Sequence, residues 1–349
     1  MAFRNLKLFE TEGPLCGKCP WRDYCGAMYG DEACRSKWKA QSSGGGQILH
    51  PSFPVTEEFL ASVGGPSFQD VAVRPATVPD LPHSITQIRI RRELQGQLSA
   101  SAYAITAGQV IGKRDRPMTA AEVREMVGLR RDQLLLLLLF GRDEYLEHLW
   151  NQRAVFLPEL AIAGFDLIVA PSYSAWEPRP RPEFLYAAKR SLVVFGALQE
   201  LGANAVPRVT WKLPYDVERW VAWKASNPAL KWVGLDLTTY KGERGFKEQL
   251  ELLSLFDDQT GGELSYIVNG PSTFDRIRRL FEAVAPDRVH VTNSHAIARA
   301  VAPGTRFAER KETEDLIVAS AARACLSGIA EVPFSARPRQ EITNTRGLS

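Results

Sequence analysis

Four of the five cysteines lie between Cys16 and Cys34, spaced Cys16-x2-Cys19-x5-Cys25-x8-Cys34 in "CGKCPWRDYCGAMYGDEAC". Thiolates this close, in a short loop carrying Gly and Pro, can wrap one metal centre. Structural zinc is usually held by two CxxC knuckles, and only one is present. An iron–sulfur cube tolerates unequal spacing, because each thiolate binds a different iron. The expected cofactor is therefore a [4Fe-4S] cluster, with zinc as the alternative and Cys16, Cys19, Cys25 and Cys34 as ligands. The CxxxCxxC spacing of radical-SAM clusters is absent. Four cysteine ligands leave no open position for hydrolytic chemistry, so the expected role is to order a segment with little core of its own. Lys18, Arg22, Arg35, Lys37 and Lys39 alternate with Trp21, Tyr24 and Trp38 there, a mixture suited to nucleic-acid backbone and base stacking. Cys325, alone in "EDLIVASAARACLSGI", reads as a small buried apolar residue.

A second set of residues suits acid–base or nucleophilic work. Asp236 interrupts the apolar run "VGLDLTT", where an unpartnered carboxylate is costly, so it needs either a hydrogen-bonding partner or a catalytic task. Asp166 in "GFDLIV" poses the same problem nearer a strand start, which favours a structural role. Asn293 and His295 stand where an orienting amide and a general acid could act. In "NGPSTFDRIRR", Gly270 lets backbone approach a ligand, while Ser272 or Thr273 opens a helix whose first amides attract phosphate.

Short apolar or β-rich runs position these residues: "ITQIRI", "SAYAITAG", "QLLLLLLF", "FDLIVAPS", "AVPRVTW", "WVGLDLTT", "LSYIVNG" and "RVHVTNS". Helical patterns lie between most of them, at 182–202, 245–259 and 272–284. Alternation of this kind predicts parallel βα units, and eight runs fit an α/β fold of the (β/α)8 barrel type; a doubly wound sheet is the alternative. Only "RELQGQL" separates the first two runs, which predicts an irregular start or a hairpin. In a barrel the loops after the strands carry the chemistry. The expected catalytic residues are Asp236, His295, Asn293 and Asp143. Tyr173, Ser174, Trp176, Trp211, Lys212, Tyr240, Asn269, Gly270 and Ser272 are expected to bind a planar, hydrogen-bonding ligand such as a base or nucleotide.

The chain has 349 residues, 45% of them hydrophobic, enough for one large core. The expected organisation is a cysteine module at 1–40, a Gly/Ser/Pro-rich linker and wrap at 41–84, a barrel at 85–330 and a basic tail at 331–349. The longest apolar run, at 134–140, is too short to span a bilayer. A charged N-terminus predicts a cytosolic protein, where clustered cysteines bind metal rather than pair as disulfides. The net charge of +3 permits a polyanionic partner without demanding one. Local basic clusters at 89–93, 112–116, 179–182 and 275–279 are either such a surface or ordinary solvated faces.

Three stretches resemble known families. Cys16, Cys19, Pro20, Trp21 and Cys25 match the C-x2-C-P-aromatic-x3-C of AddB-type and CRISPR-adaptation RecB-like nucleases, which implies a [4Fe-4S] cluster. The nuclease active-site series is not found elsewhere in the chain, and the remaining cysteine of those proteins lies far upstream rather than at Cys34. Residues 165–211 resemble an uncharacterised phage and mobile-element family with a G-x4-P-x3-W strand, here Gly202, Pro207 and Trp211. Residues 268–304 resemble the closing βαβα of the tRNA-guanine transglycosylase superfamily, whose phage members exchange guanine in DNA for a deazaguanine. That resemblance implies base exchange or glycosidic-bond chemistry on nucleic acid or nucleotides. The family's nucleophilic aspartate falls at Asn293 here, so Asp236 is the candidate substitute, and the family's zinc site lies near the other terminus. The competing expectations are a non-catalytic nucleic-acid-binding protein of a phage or mobile element, and a redox or iron sensor.

Overall fold

The computed structural model describes residues 60–112, 114–174, 181–293 and 307–327. The four N-terminal cysteines, Trp176 and His295 lie outside the described residues. Eight strands, all parallel, form one sheet. They are β1 (Ser84–Gln87), β2 (Ala102–Thr106), β3 (Leu134–Leu138), β4 (Leu167–Val169), β5 (Ala205–Val206), β6 (Trp232–Asp236), β7 (Ser265–Asn269) and β8 (Val289–Asn293). The spatial order is β5-β4-β3-β2-β1-β8-β7-β6. A parallel bridge between Arg208 and Gly234 brings β5 to β6 and nearly closes the barrel. The doubly wound alternative is thereby excluded.

Of the two expectations for the start, the irregular link is found and the hairpin is corrected. β1 and β2 run parallel, with Thr86 opposite Tyr103. The link is longer than "RELQGQL", because β1 already ends at Gln87 and β2 begins at Ala102, and residues 88–101 climb back with one 3-10 turn at Arg92–Leu94. Leu94 and Leu98 bury themselves under that turn, doing the covering that a crossover helix does elsewhere.

Every strand has two buried faces, so the runs are continuously apolar rather than alternating. In β3 the leucines divide by parity. Leu135 and Leu137 join the shell between strands and helices; Leu136 and Leu138 fill the barrel interior with Ile85, Ala102, Ala104, Leu167, Val169, Val206 and Ile267. Gly234 belongs to this inner face, where a Cβ would overlap Cγ1 of Val169 across the barrel. Only glycine lets β6 close against β4 at that height.

The helices follow from local chemistry. α1 (Ala107–Val110) follows β2, and α2 (Ala120–Val127) starts with a capping box, Thr119 with Glu122, and stops at Gly128 with φ 74°. α3 (Asp143–Asn151) and α4 (Arg153–Ala161) follow β3. α5 (Arg181–Glu200), α6 (Pro214–Ser226), α7 (Glu243–Gln259) and α8 (Phe274–Ala283) cover the later strands, and α9 (Phe307–Ser327) packs on α8 and β1. None is long and apolar enough to cross a membrane.

One end of the barrel is plugged. Residues 70–83 run across it, tied by Val71 O to Trp223 Nε1, Val73 N to Asn227 Oδ1, and Arg74 to Gln199. Ala76, Val78 and Leu81 close the interior from below with Trp232. His290 packs between Trp232, 5.1 Å away, and His83, 5.8 Å away. A ligand could therefore reach the barrel interior only from the opposite end, where the strands finish.

Candidate active site at the barrel mouth

Parity along the strands decides which side chains enter the mouth. Gln87 follows Ile85 on the inner face of β1, Arg208 follows Val206 beyond β5, Asp236 follows Gly234 on β6, Asn269 follows Ile267 on β7, and Thr292 lies opposite Ile85. These inward polar residues occupy the arc from β5 through β8 to β1. The facing arc is mainly apolar, with Ala104, Leu138, Phe140 and Val169, and only Thr106 adds a hydroxyl at its upper edge.

The polar arc is cross-linked. Gln87 Nε2 donates to Asn269 Oδ1, which also accepts from Thr292 Oγ1 at 3.3 Å. Asn269 Nδ2 donates to Asp236 Oδ1 at 3.1 Å. The same oxygen accepts from Thr238 N at 3.1 Å and Thr238 Oγ1 at 2.8 Å. Oδ1 is thus fully engaged and fixes the carboxylate plane. Oδ2 accepts no hydrogen bond from the described residues, so Asp236 has one oxygen held and the other available to a ligand.

Beside it stands Arg208, 9% exposed. Its Nε is buried with no hydrogen-bond partner, and its guanidinium forms no ion pair with a described residue. Burial pushes its pKa below the usual arginine value, opposed by the fields of the Asp236 carboxylate and Tyr240. The Asp236–Arg208 attraction therefore acts across a gap rather than through contact.

Gly270 supports this corner. Its φ is +120°, and a Cβ would come within 2.8 Å of Thr238 N. The β6 and β7 loops touch only because that position has no side chain. Arg276 reinforces the contact by donating to Tyr240 O at 3.1 Å and Lys241 O at 2.5 Å, and pairing with Glu243.

Of the sequence-predicted residues, Asp236, Asn269 and Gly270 meet in this corner, with Tyr240 on the loop above it. Asn293 has the parity of Val289 and Val291, which belong to the shell; its neighbour Thr292 is the one that faces inward. Asp143 is half-buried in the first turn of α3, where a carboxylate suits the helix dipole, and it makes no hydrogen bond or ion pair with a described residue. Trp211 is fully buried in the shell, 5.5 Å from Phe256. Tyr173 is 2% exposed, its ring 4.0 Å from the Arg190 guanidinium. These two aromatic residues are core, not rim. Lys212 is half-buried, its ammonium 5.9 Å from the Phe184 ring, and Ser174 is half-buried on the β4 loop. Ser272 precedes the N-cap of α8, which is Thr273 and makes no side-chain capping bond. Asp166, expected to be structural, accepts from Arg124 Nη2 at 2.8 Å and Leu135 N at 2.7 Å near the plugged end.

Gln87, Arg208 and Thr292 escaped the sequence reading. The signal was present in the period-two pattern: once Ile85 and Val206 are taken as inward, the residues two further on must share the mouth.

No protein family and no curated protein matches the sequence. Solved structures similar in shape include one titled native KDPGal structure, at 12% identity and TM-score 0.40, covering 71% of this chain and 98% of that one. Another is a cube-shaped porous cage designed by fusing oligomeric domains, at 12% identity and TM-score 0.40, covering 72% and 75%.

Proposed function

We propose that this barrel acts on nucleic acid or a nucleotide at its open end, with Asp236 as the reacting carboxylate of base exchange or glycosidic-bond cleavage. The observation that carries the reading is the asymmetry of Asp236, one oxygen locked by Asn269 and Thr238, the other available. In such an exchange Oδ2 attacks the sugar anomeric carbon and the C–N bond breaks with its electron pair going to the departing base, which takes up a proton. The incoming base then attacks the same carbon, loses a proton and releases the carboxylate. Asn269 and Thr238 hold the carboxylate, Gln87 braces Asn269, and the two amides line the pocket with groups suited to a base edge.

Charge distribution supports a polyanionic partner. Many surface cations are paired, at the far end Arg130 with Asp132, Lys231 and Lys224 with Glu263, and Arg288 with Asp257, and at the mouth end Arg142 with Glu144 and Arg244 with Glu248. Exposed Arg89, Arg91 and Arg92 after β1, and Lys241 after β6, make no ion pair with a described residue. These loops leave the mouth end of the barrel, where a phosphate backbone would pass.

The test is Asp236→Asn on the full chain. Turnover of the glycosidic bond falls by a hundredfold or more, while binding of a fluorescent single-stranded oligonucleotide stays within about twofold. Equal turnover in both proteins refutes the catalytic role. The unpaired rim cations also favour the second reading, a binder without chemistry, in which neither wild type nor the variant turns over a glycosidic bond and both bind the oligonucleotide. The four cysteines are proposed to hold a metal, a [4Fe-4S] cluster before zinc, ordering the N-terminal segment.

A further inference from the structure

We propose that Arg208 is the anchor for an oxyanion group on the ligand, a phosphate or carboxylate, drawn into the barrel mouth beside Asp236. The proposal uses the same mouth as the functional reading above, but it concerns recognition and stands or falls on different residues.

A guanidinium that is 9% exposed, with its Nε buried and no hydrogen bond to a described residue, gives up hydration that those residues do not replace. Other buried cations in this molecule are compensated: Arg190 makes two hydrogen bonds to Glu147, at 2.7 and 2.9 Å, and Lys189 bonds Asp70 and Ser67 O. Arg208 has an acidic neighbour within reach of its field, yet Asp236 Oδ1 is turned to Asn269 and Thr238 instead.

Nor does packing explain the residue. Its inner-face neighbours are Val206, Gly234 and Val169, and an apolar side chain there would extend the interior cluster without burying a charge. What remains is a fork of N–H donors held on a strand end, on the inner face of the mouth. That is the geometry an oxyanion takes bidentately. Asp236 keeps other anions from binding tightly and leaves room for a ligand that also satisfies its free oxygen.

The experiment is a titration of the full-length protein with inorganic phosphate and, separately, with acetate, by calorimetry, using wild type, Arg208→Met, Arg208→Lys and Asp236→Asn. Wild type binds at least one of the two saturably. Phosphate alone identifies a phosphoryl ligand, and acetate alone a carboxylate. Arg208→Met weakens that binding at least tenfold, Arg208→Lys less so, and Asp236→Asn tightens it by removing a competing charge. Arg208→Met also melts no lower than wild type, because the lost charge was paired with no described residue. Unchanged anion binding in Arg208→Met overturns the proposal, as does binding of neither anion by wild type. A lower melting temperature in both Arg208 variants would make the residue a structural one and overturn it equally. If anion binding follows Arg208 while no glycosidic turnover is found, the anchor stands and the functional reading falls.

Discussion

Replacing Glu147 by Gln tests how the mouth is held from outside. Arg190, on α5, and Glu147, on α3, have side chains 0% and 10% exposed and form a two-pronged ion pair. The guanidinium also lies 4.0 Å from the Tyr173 ring, 4.8 Å from Tyr186 and 5.4 Å from Trp150. The pair and its aromatic walls fix the start of the β4 loop, where Ser191 Oγ also donates to Pro171 O at 2.7 Å. Removing one carboxylate leaves a buried cation facing three rings, a loss of about 3–5 kcal/mol for a buried pair broken on one side. For a domain of this size each kcal/mol lowers Tm by about 2–4 °C, so Glu147→Gln should melt roughly 6–20 °C below wild type. The double variant Glu147→Leu/Arg190→Met, with no charge left behind, should recover most of that loss. Circular-dichroism melts of wild type and the two variants read both effects. A Tm shift under about 2 °C for Glu147→Gln, or a double variant no better than the single, refutes the reasoning.

Gly234→Ala should destabilise by about 1–3 kcal/mol, the usual result of overpacking, and Val169→Ala in the same chain should relieve it, since the added Cβ meets Val169 Cγ1; denaturant melts read both effects. Burial lowers the pKa of His290, partly offset by its contact with Pro82 O. A lowered folded pKa means the unfolded chain binds the proton more readily, so stability is complete above about pH 6.5 and falls as pH drops below it. His290→Gln should flatten the stability profile between pH 7 and 5, and an unchanged slope would contradict this. Protein purified without oxygen should carry a broad absorption near 400 nm with about four irons per chain if the cluster reading holds, and Cys19→Ala should lose it; one zinc in a colourless protein would give the alternative.

The fold was legible because eight apolar runs alternate with helical patterns, and a run such as the leucines at 134–138 needs two buried faces. The link between β1 and β2 was misjudged because "ITQIRI" reads as strand to Ile90, whereas β1 ends at Gln87 and the connection is residues 88–101. Asp236 stood out because a carboxylate in "VGLDLTT" is costly. Arg208 did not, since "AVPRVTW" looks like an apolar strand with one surface cation, and only the inward position of Val206 reveals otherwise. Trp211 and Tyr173 were drawn to the rim by their place just after strands. Their ring size instead fills the space between strands and helices, a tertiary fact without local signature. The basic stretch "DRIRR" proved largely self-neutralised, because Glu243 and Glu282 take up its arginines.

The most direct measurement is the incorporation of labelled guanine into DNA and tRNA by the intact protein, with Asp236→Asn alongside. Time-dependent incorporation into one of these polymers, abolished by the substitution while the variant remains folded, is the expected result. No exchange into either polymer, or equal exchange by both proteins, contradicts Asp236 as the reacting carboxylate of base exchange.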